Sequence, residues 1–329
     1  MPPVRPRAAL RRPPPRRTAW LLIGLVWIAP PCGAGAADAQ RFDLESSDGM
    51  RVATWLYPRP EDADLRAAVI LVHDLDGEHK DLEPLAHALQ QAGCTVAVPD
   101  LRGHGASAPQ GGRDAARQSK PTRRADLEMM AAGAGGRLRA QSSVRGDLET
   151  VHALLLERGD IDASGDSPLA VVGCGAGATL AALWTAADWA WPPLASGPQG
   201  QHVRALVLVS PHWTVKGMTI QPALASEPLK QEVPIMILGG KNDRDATRLF
   251  DQLRKQRPDA WHQRIGSETT RAADRRKPDD RKPAGEPPAE TLFLFQLDTT
   301  LSGEKLAEDD GGIGLIVQFL AAKFRTADR

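Results

Sequence analysis

The sequence predicts an α/β protein: a mostly parallel, eight-stranded sheet with helices on both faces and no large lid domain. Three observations carry that expectation. Residues 67–72, 169–173, 203–210 and 233–238 are apolar runs without polar alternation, as strands covered on both faces are. Between such runs lie longer segments with apolar residues at helical spacing, Leu82, Leu85, Ala86 and Leu89 being the clearest. Finally, residues 168–180 stop at a glycine-rich corner and restart as an alanine-rich helical pattern, which reads strand, sharp turn, helix.

Taken in order, residues 41–44 and 51–57 flank Ser47, Asp48 and Gly49, whose Asp-Gly pair signals a hairpin that opens the sheet antiparallel. The strand at 67–72 ends in His73, Asp74, Leu75, Asp76 and Gly77. The helix after it closes at Gly93, and a strand at 95–99 leads into Asp100-Leu101-Arg102-Gly103-His104-Gly105. Residues 108–141, rich in Gly, Arg, Gln and Ala, read as a mobile surface loop with at most a short helix around 125–132. Helical spacing returns at Val144, Leu148, Val151 and Leu155. After the glycine corner, a helix runs through Ala181, Leu183 and Trp184 until Pro192 and Pro193 stop it. Strands at 203–210 and 233–238 enclose only residues 211–232, too few for a large lid. A helix at 246–256, a charged, proline-rich stretch at 267–290 that reads as disordered, a strand at 291–296 and a helix at 313–324 complete the chain.

Residues 1–36 read as an export signal: an arginine- and proline-rich start, an apolar run at 19–29, a proline break, and Ala34-Gly35-Ala36 as a small-residue cleavage site. Cleavage after Ala36 would leave one domain, 37–329, in a secreted or periplasmic protein. The apolar run is shorter than the roughly 20 residues that span a bilayer, so the membrane is a partner only if the segment is kept. The formal charge of the whole chain is zero; losing Arg5, Arg7, Arg11, Arg12, Arg16 and Arg17 with no acid leaves −6, which argues against a nucleic-acid partner. Of the three cysteines, Cys32 would leave with the signal. Cys94 and Cys174 belong at opposite ends of different strands, too far apart to bridge, so two unpaired thiols are expected.

The glycine corner has a recognisable frame. Gly173-x-x-x-Gly177 resembles the nucleophile elbow of α/β-hydrolases, in which small flanking residues let strand and helix approach closely. Residues 70–107, "ILVHDLDGEHKDLEPLAHALQQAGCTVAVPDLRGHGAS", are similar to the third strand, oxyanion loop, first helix and fourth strand of the same family, in the serine aminopeptidase and monoacylglycerol lipase branch. With the elbow, the likeness runs from about Ile70 to the C-terminus, interrupted by 108–141 and 267–290.

The resemblance implies a nucleophile, an acid and a histidine in that order along the chain. At the nucleophile's place stands Gly175. Glycine tolerates the positive φ of an elbow without the strain of about 1–3 kcal/mol that a side chain suffers there, so the turn is kept and the reactive atom lost. A frame shifted by one would make Cys174 the nucleophile, with Val172 crowding the corner. Gly240-Lys241-Asn242-Asp243 puts Asp243 at the acid position; alternatively, Asp243 simply caps the helix that follows. The histidine should come from residues 297–310, and none is there: the eight are His73, His79, His87, His104, His152, His202, His212 and His262. Each reads as structural more readily than catalytic. The oxyanion hole, being backbone N–H, could survive at Leu75 and Ala176, with Asp74 in place of the family's glycine beside it.

Three readings follow. The first is an exported pseudo-hydrolase that binds an unknown small molecule or protein. The second is an active ester or peptide hydrolase with a displaced nucleophile, Cys174, Ser210 or Ser107, served by His212 or His104. The third is a purely structural or assembly role. No cofactor is expected; His73, Asp74, Asp76 and His79 cluster in sequence but carry no metal signature.

Overall fold

The computed structural model describes residues 38–108 except 62, 64 and 66, and residues 122–133, 145–162, 167–192, 195, 200–272, 274 and 289–324. Residues 1–36, read from the sequence as an export signal, lie outside them. The main sheet comprises β1 (Gln40–Glu45), β2 (Arg51–Tyr57), β3 (Ala67–Val72), β4 (Cys94–Pro99), β5 (Leu169–Cys174), β6 (Val203–Val209), β7 (Ile235–Gly240), β8 (Trp261–Ile265), β9 (Glu268–Arg271) and β10 (Leu292–Leu297). The principal helices are α1 (Glu83–Gln91), α2 (Arg124–Met130), α3 (Asp147–Arg158), α4 (Ala176–Asp188), α5 (Arg244–Arg254) and α6 (Asp310–Phe324).

The ten strands lie in the order β1-β2-β4-β3-β5-β6-β7-β10-β8-β9. β1 and β2 enter antiparallel, Gln40 opposite Leu56, and β3 through β8 run parallel. β3, β4, β5 and β7 are buried at every position, which is what their unbroken apolar runs require. Two apolar layers sandwich them. Leu85 and Leu89 of α1 pack with Ile316, Phe319 and Leu320 of α6 on one face. On the other, Leu127, Leu148, Leu155, Trp184 and Phe250 bring in α2 to α5. Helices therefore cover both faces, as expected.

All eight expected strands are present, and two more extend the sheet beyond them. β8 and β9 form a hairpin around Gly266 and Ser267, Ile265 opposite Glu268, with Gly266 at φ +55°. The reading of 267–290 as disordered is thus corrected at Glu268–Arg271; residues 275–288 lie outside the described residues. Gly-Ser between two short runs is a hairpin signal, and the β-branched Thr269 and Thr270 support it. The charge of Arg264, Glu268 and Arg271 masked it, yet charge suits an edge strand, which must resist pairing with other chains. Within 108–141, the short helix is found as α2, while 109–121 and 134–141 lie outside the described residues. α3 starts at Asp147, after Gly146, and ends on Gly159 in the left-handed conformation. Between β6 and β7 there is only a two-residue ladder (Thr214–Val215 with Met218–Thr219) and short helical turns, so no lid domain stands there.

Cys94 and Cys174 are both free and buried, as expected from their places on the strands.

Candidate functional site

The corner between β5 and α4 is built by three glycines with different duties. Gly175 sits at φ +56°, ψ −120°, the conformation that would strain any side chain. A Cβ at Gly173 would strike the backbone of Gly177 and Ala178, and one at Gly177 would strike the carbonyls of Val72 and His73. The close approach of β3, β5 and α4 therefore depends on both flanking glycines. Cys174 is the last residue of β5, fully buried on the sheet, while the positive φ falls on the residue after it. Burial, reinforced by Glu304, Asp74 and Glu308, pushes the Cys174 thiol well up, the opposite of what a nucleophile needs.

Above the corner lies Asp74. Its Oδ1 accepts from the backbone N–H of Leu75 at 2.7 Å and from that of Ala176 at 3.0 Å, the two donors expected of an oxyanion hole. The space a Gly175 side chain would need is filled by the same carboxylate. The Asp74 N–H donates in turn to Glu304 Oε1 at 2.7 Å. Glu304 opens the short helix Glu304–Glu308 in the segment after β10, where the sequence offers no histidine.

Burial, with Asp81, Asp74 and Glu308 nearby, raises the Glu304 carboxyl from 4.5 to about 7, against the lowering effect of the Asp74 N–H. Folding thus favours its protonated form. As pH rises from about 4.5 to 7, the unfolded chain releases this proton while the native protein holds it, so the group's contribution to stability is lost across that window. Glu304→Gln keeps an acceptor for the Asp74 N–H and removes the titration. Urea unfolding should find the variant more stable than the wild type at pH 8 and equal to it near pH 4.

Asp243 caps α5, its Oδ1 accepting from Ala246 N–H at 2.9 Å, so the capping alternative describes its contacts. Burial raises its carboxyl above the ordinary carboxylate range, opposed by Ala246 N–H and the Ser210 hydroxyl. Asp245 Oδ2 accepts from Trp213 N–H at 2.9 Å. A cavity of about 480 Å³ opens beside Asp243 at the carboxyl ends of the strands, reaching Ser210, His212 and residues 299–302. A larger one, about 1080 Å³, runs along α5 and touches the first only through residues 242–244. We take the smaller as the candidate ligand site, since Ser210, Gly240 and residues 299–302, at or just past the carboxyl ends of β6, β7 and β10, line it, where the fold places its chemistry.

His212 lines the cavity beside Asp243 without hydrogen-bonding it, while other histidines are employed elsewhere. His73 is fully buried, facing the Asp74 carbonyl with Nδ1 and accepting from Leu101 N–H with Nε2 at 2.9 Å; burial lowers it to about 4, so it is a neutral strut. His79 stacks on Trp55 at 3.3 Å and bonds buried Asp100 at 3.1 Å. His104 meets the Arg102 carbonyl, and His262, on β8, meets Glu290 at 3.2 Å. Ser107 is committed to Asp100 and Ala53 backbone. Arg102 is clamped by Asp147 and Asp48, so the string Asp100 to Ser107 serves to tie loops together. Among the described residues, no imidazole hydrogen-bonds a serine, threonine, cysteine or Asp243. His73, Asp74, Asp76 and His79 do not converge on one point.

Of these features, the sequence pointed to the corner, Asp243 and the departure at Asp74. It gave no sign of Glu304, which is 230 residues from its partner and belongs to no motif.

Comparison with known proteins agrees with this architecture. The profile of the family "Serine aminopeptidase, S33" matches residues 63–231, just over half the chain. Among solved structures, an esterase of Pyrococcus furiosus is similar at 12% identity and TM-score 0.53, over 87% of this chain and 92% of its own. A highly thermostable carboxyl esterase from Bacillus coagulans is similar at 12% identity and TM-score 0.53, over 88% and 99%. No curated protein matches. At such identities the structures speak for the fold alone, and it is the profile, spanning the oxyanion loop, the elbow and the strands between, that makes this chain a member of the serine aminopeptidase S33 family of α/β-hydrolase-fold proteins.

Proposed function

We propose that this protein is an exported member of its family that performs no acyl transfer and acts by binding a small-molecule or protein ligand at the cavity beside Asp243. The observation that carries the reading is the Asp74 carboxylate on the N–H groups of Leu75 and Ala176, where the developing oxyanion of a substrate would have to sit. Two further facts support it: Gly175 offers no reactive atom, and residues 297–310 offer no imidazole. The displaced-nucleophile alternative finds no support in Cys174, whose thiol is raised, or in Ser107, whose hydroxyl is already committed; Ser210 does line the cavity with His212 and Asp243, but no imidazole among the described residues hydrogen-bonds it.

The test uses the mature protein, a fluorophosphonate probe and simple p-nitrophenyl esters. We expect neither labelling nor turnover above the rate in buffer. Stoichiometric labelling mapped to a serine near the strand ends would overturn the proposal. Export is checked separately: native protein should begin near Ala37 by mass spectrometry, and retention of residues 1–36 would count against a cleaved signal.

A further inference from the structure

At the other end of the sheet, three side chains remote in sequence converge. His152 lies on α3, Asp188 ends α4, and His202 immediately precedes β6. His152 Nε2 stands 3.2 Å from His202 Nδ1, which stands 3.4 Å from Asp188 Oδ1, and the three atoms all lie within 4.8 Å of one another. His152 is 4% exposed and Asp188 is completely buried. None of these residues takes part in the site beside Asp74, which lies at the carboxyl ends of the strands, about 20 Å away along β5 at 3.3 Å per residue.

We propose that His152, Asp188 and His202 bind a Zn²⁺ ion. Spacing is the first argument. Four-coordinate zinc with nitrogen and oxygen ligands at about 2.0–2.2 Å sets neighbouring donors roughly 3.3–3.6 Å apart; the two contacts, at 3.2 and 3.4 Å, lie at or just under that spacing. The second argument is hydrogen accounting. His202 Nδ1 faces both an imidazole nitrogen and a carboxylate oxygen, and it can carry only one proton between them. Asp188 Oδ1, buried without contact to water, accepts no hydrogen bond. A buried carboxylate oxygen in that state needs a cation or a donor.

The surroundings orient the donors as metal ligands are usually oriented. His152 Nδ1 makes no hydrogen bond but lies 3.5 Å from Glu149 Oε1, so the carboxylate favours a proton on Nδ1 and a lone pair on Nε2. Glu149 is itself fixed by Trp184 Nε1–H at 3.0 Å. Asp188 turns its second oxygen to the N–H of Val203 at 3.0 Å, leaving Oδ1 for the ion. The His202 side chain is 12% exposed, which gives the ion an entry and leaves room for water as the fourth ligand. Imidazole and carboxylate donors suit zinc, and the ion would pin α3, α4 and the start of β6 together.

The experiment takes full-length protein stripped with a chelator, titrates it with ZnCl₂ by calorimetry, and follows Co²⁺ substitution by visible absorption. One equivalent should bind, the melting temperature should rise with free Zn²⁺, and the cobalt spectrum should be that of a tetrahedral nitrogen and oxygen site without thiolate charge transfer. Glu149→Gln should weaken binding by roughly 10- to 100-fold, as loss of an outer partner does. Asp188→Asn, which is isosteric, and His202→Ala, at the exposed edge, should each weaken it further than that while the circular dichroism of the fold is kept. Absence of saturable Zn²⁺ binding by the wild type would overturn the proposal. So would undiminished affinity in whichever of Asp188→Asn and His202→Ala remains folded, or a thiolate signature in the cobalt spectrum.

Discussion

Gly175→Ser is expected to unfold more easily than the wild type and to hydrolyse nothing. Two costs combine. A residue with a Cβ at φ +56°, ψ −120° carries strain, and here it also runs into the Asp74 carboxylate. Strain of roughly 1–3 kcal/mol and overpacking of similar size together predict a loss of about 2–6 kcal/mol. Urea unfolding at pH 7 measures it, and a stability equal to the wild type would show that the corner has slack that its contacts do not suggest. Gly175→Ala should lose nearly as much, because the penalty lies in the Cβ and not in the hydroxyl. The serine remains inert for separate reasons: no imidazole stands beside it, and the hole that would receive the oxyanion is filled.

How much of this was legible beforehand follows the range of the interactions. Elements set by local patterns, such as the unbroken apolar runs of β3, β5 and β7, could be read directly, since a strand buried on both faces has no polar position to spare. The frame of the corner was equally legible because Gly173, Gly175 and Gly177 stand within five residues, although what they make room for at Gly175 and Gly177, Asp74 and the carbonyls of Val72 and His73, comes from β3 and the loop after it. The β8–β9 hairpin carried a local signal too, the Gly266-Ser267 turn, but its charged flanks resembled the stretch that follows. What the sequence could flag but not decide was Asp74. A carboxylate next to the hole can point in or out, and the choice depends on donors at Leu75 and Ala176 and on Glu304 arriving from the far end of the chain. The cluster of His152, Asp188 and His202 was out of reach altogether, because three elements must pack before its members meet.

Glu304 and Asp74 form a small acidic chain, Glu304 accepting from the backbone of Asp74 and Asp74 accepting from the backbone of the hole. Each carboxylate thus takes up donors that the fold supplies for other purposes. Burial penalises the Glu304 carboxylate, which is why Glu304 holds its proton up to about 7. Family enzymes need that pair of donors empty and ready, since preorganised N–H groups are worth most when nothing competes for them.

On the proposed reading, supplying a serine and a histidine and removing the Asp74 carboxylate together should therefore produce an esterase where single changes fail. The variant combines Gly175→Ser, Asp74→Gly and Ser302→His. Ser302 lines the same cavity as Asp243, and its neighbour Gly303 is the loop residue that approaches Asp74 Oδ2, so an imidazole at 302 is placed between the carboxylate and the new hydroxyl. A general base is typically worth about 10²- to 10⁴-fold, and one oxyanion-hole donor about 10²- to 10³-fold. With Asp74 retained, the serine and histidine should stay near the rate in buffer; with Asp74→Gly added, turnover of p-nitrophenyl butyrate should rise by roughly 10²-fold or more. The removal of Asp74 also relieves the collision at residue 175, so the triple variant should recover part of the stability that Gly175→Ser loses. Were the serine and histidine pair equally active with Asp74 in place, the carboxylate would not be the obstruction, and the proposed inactivity would rest on the missing side chains alone.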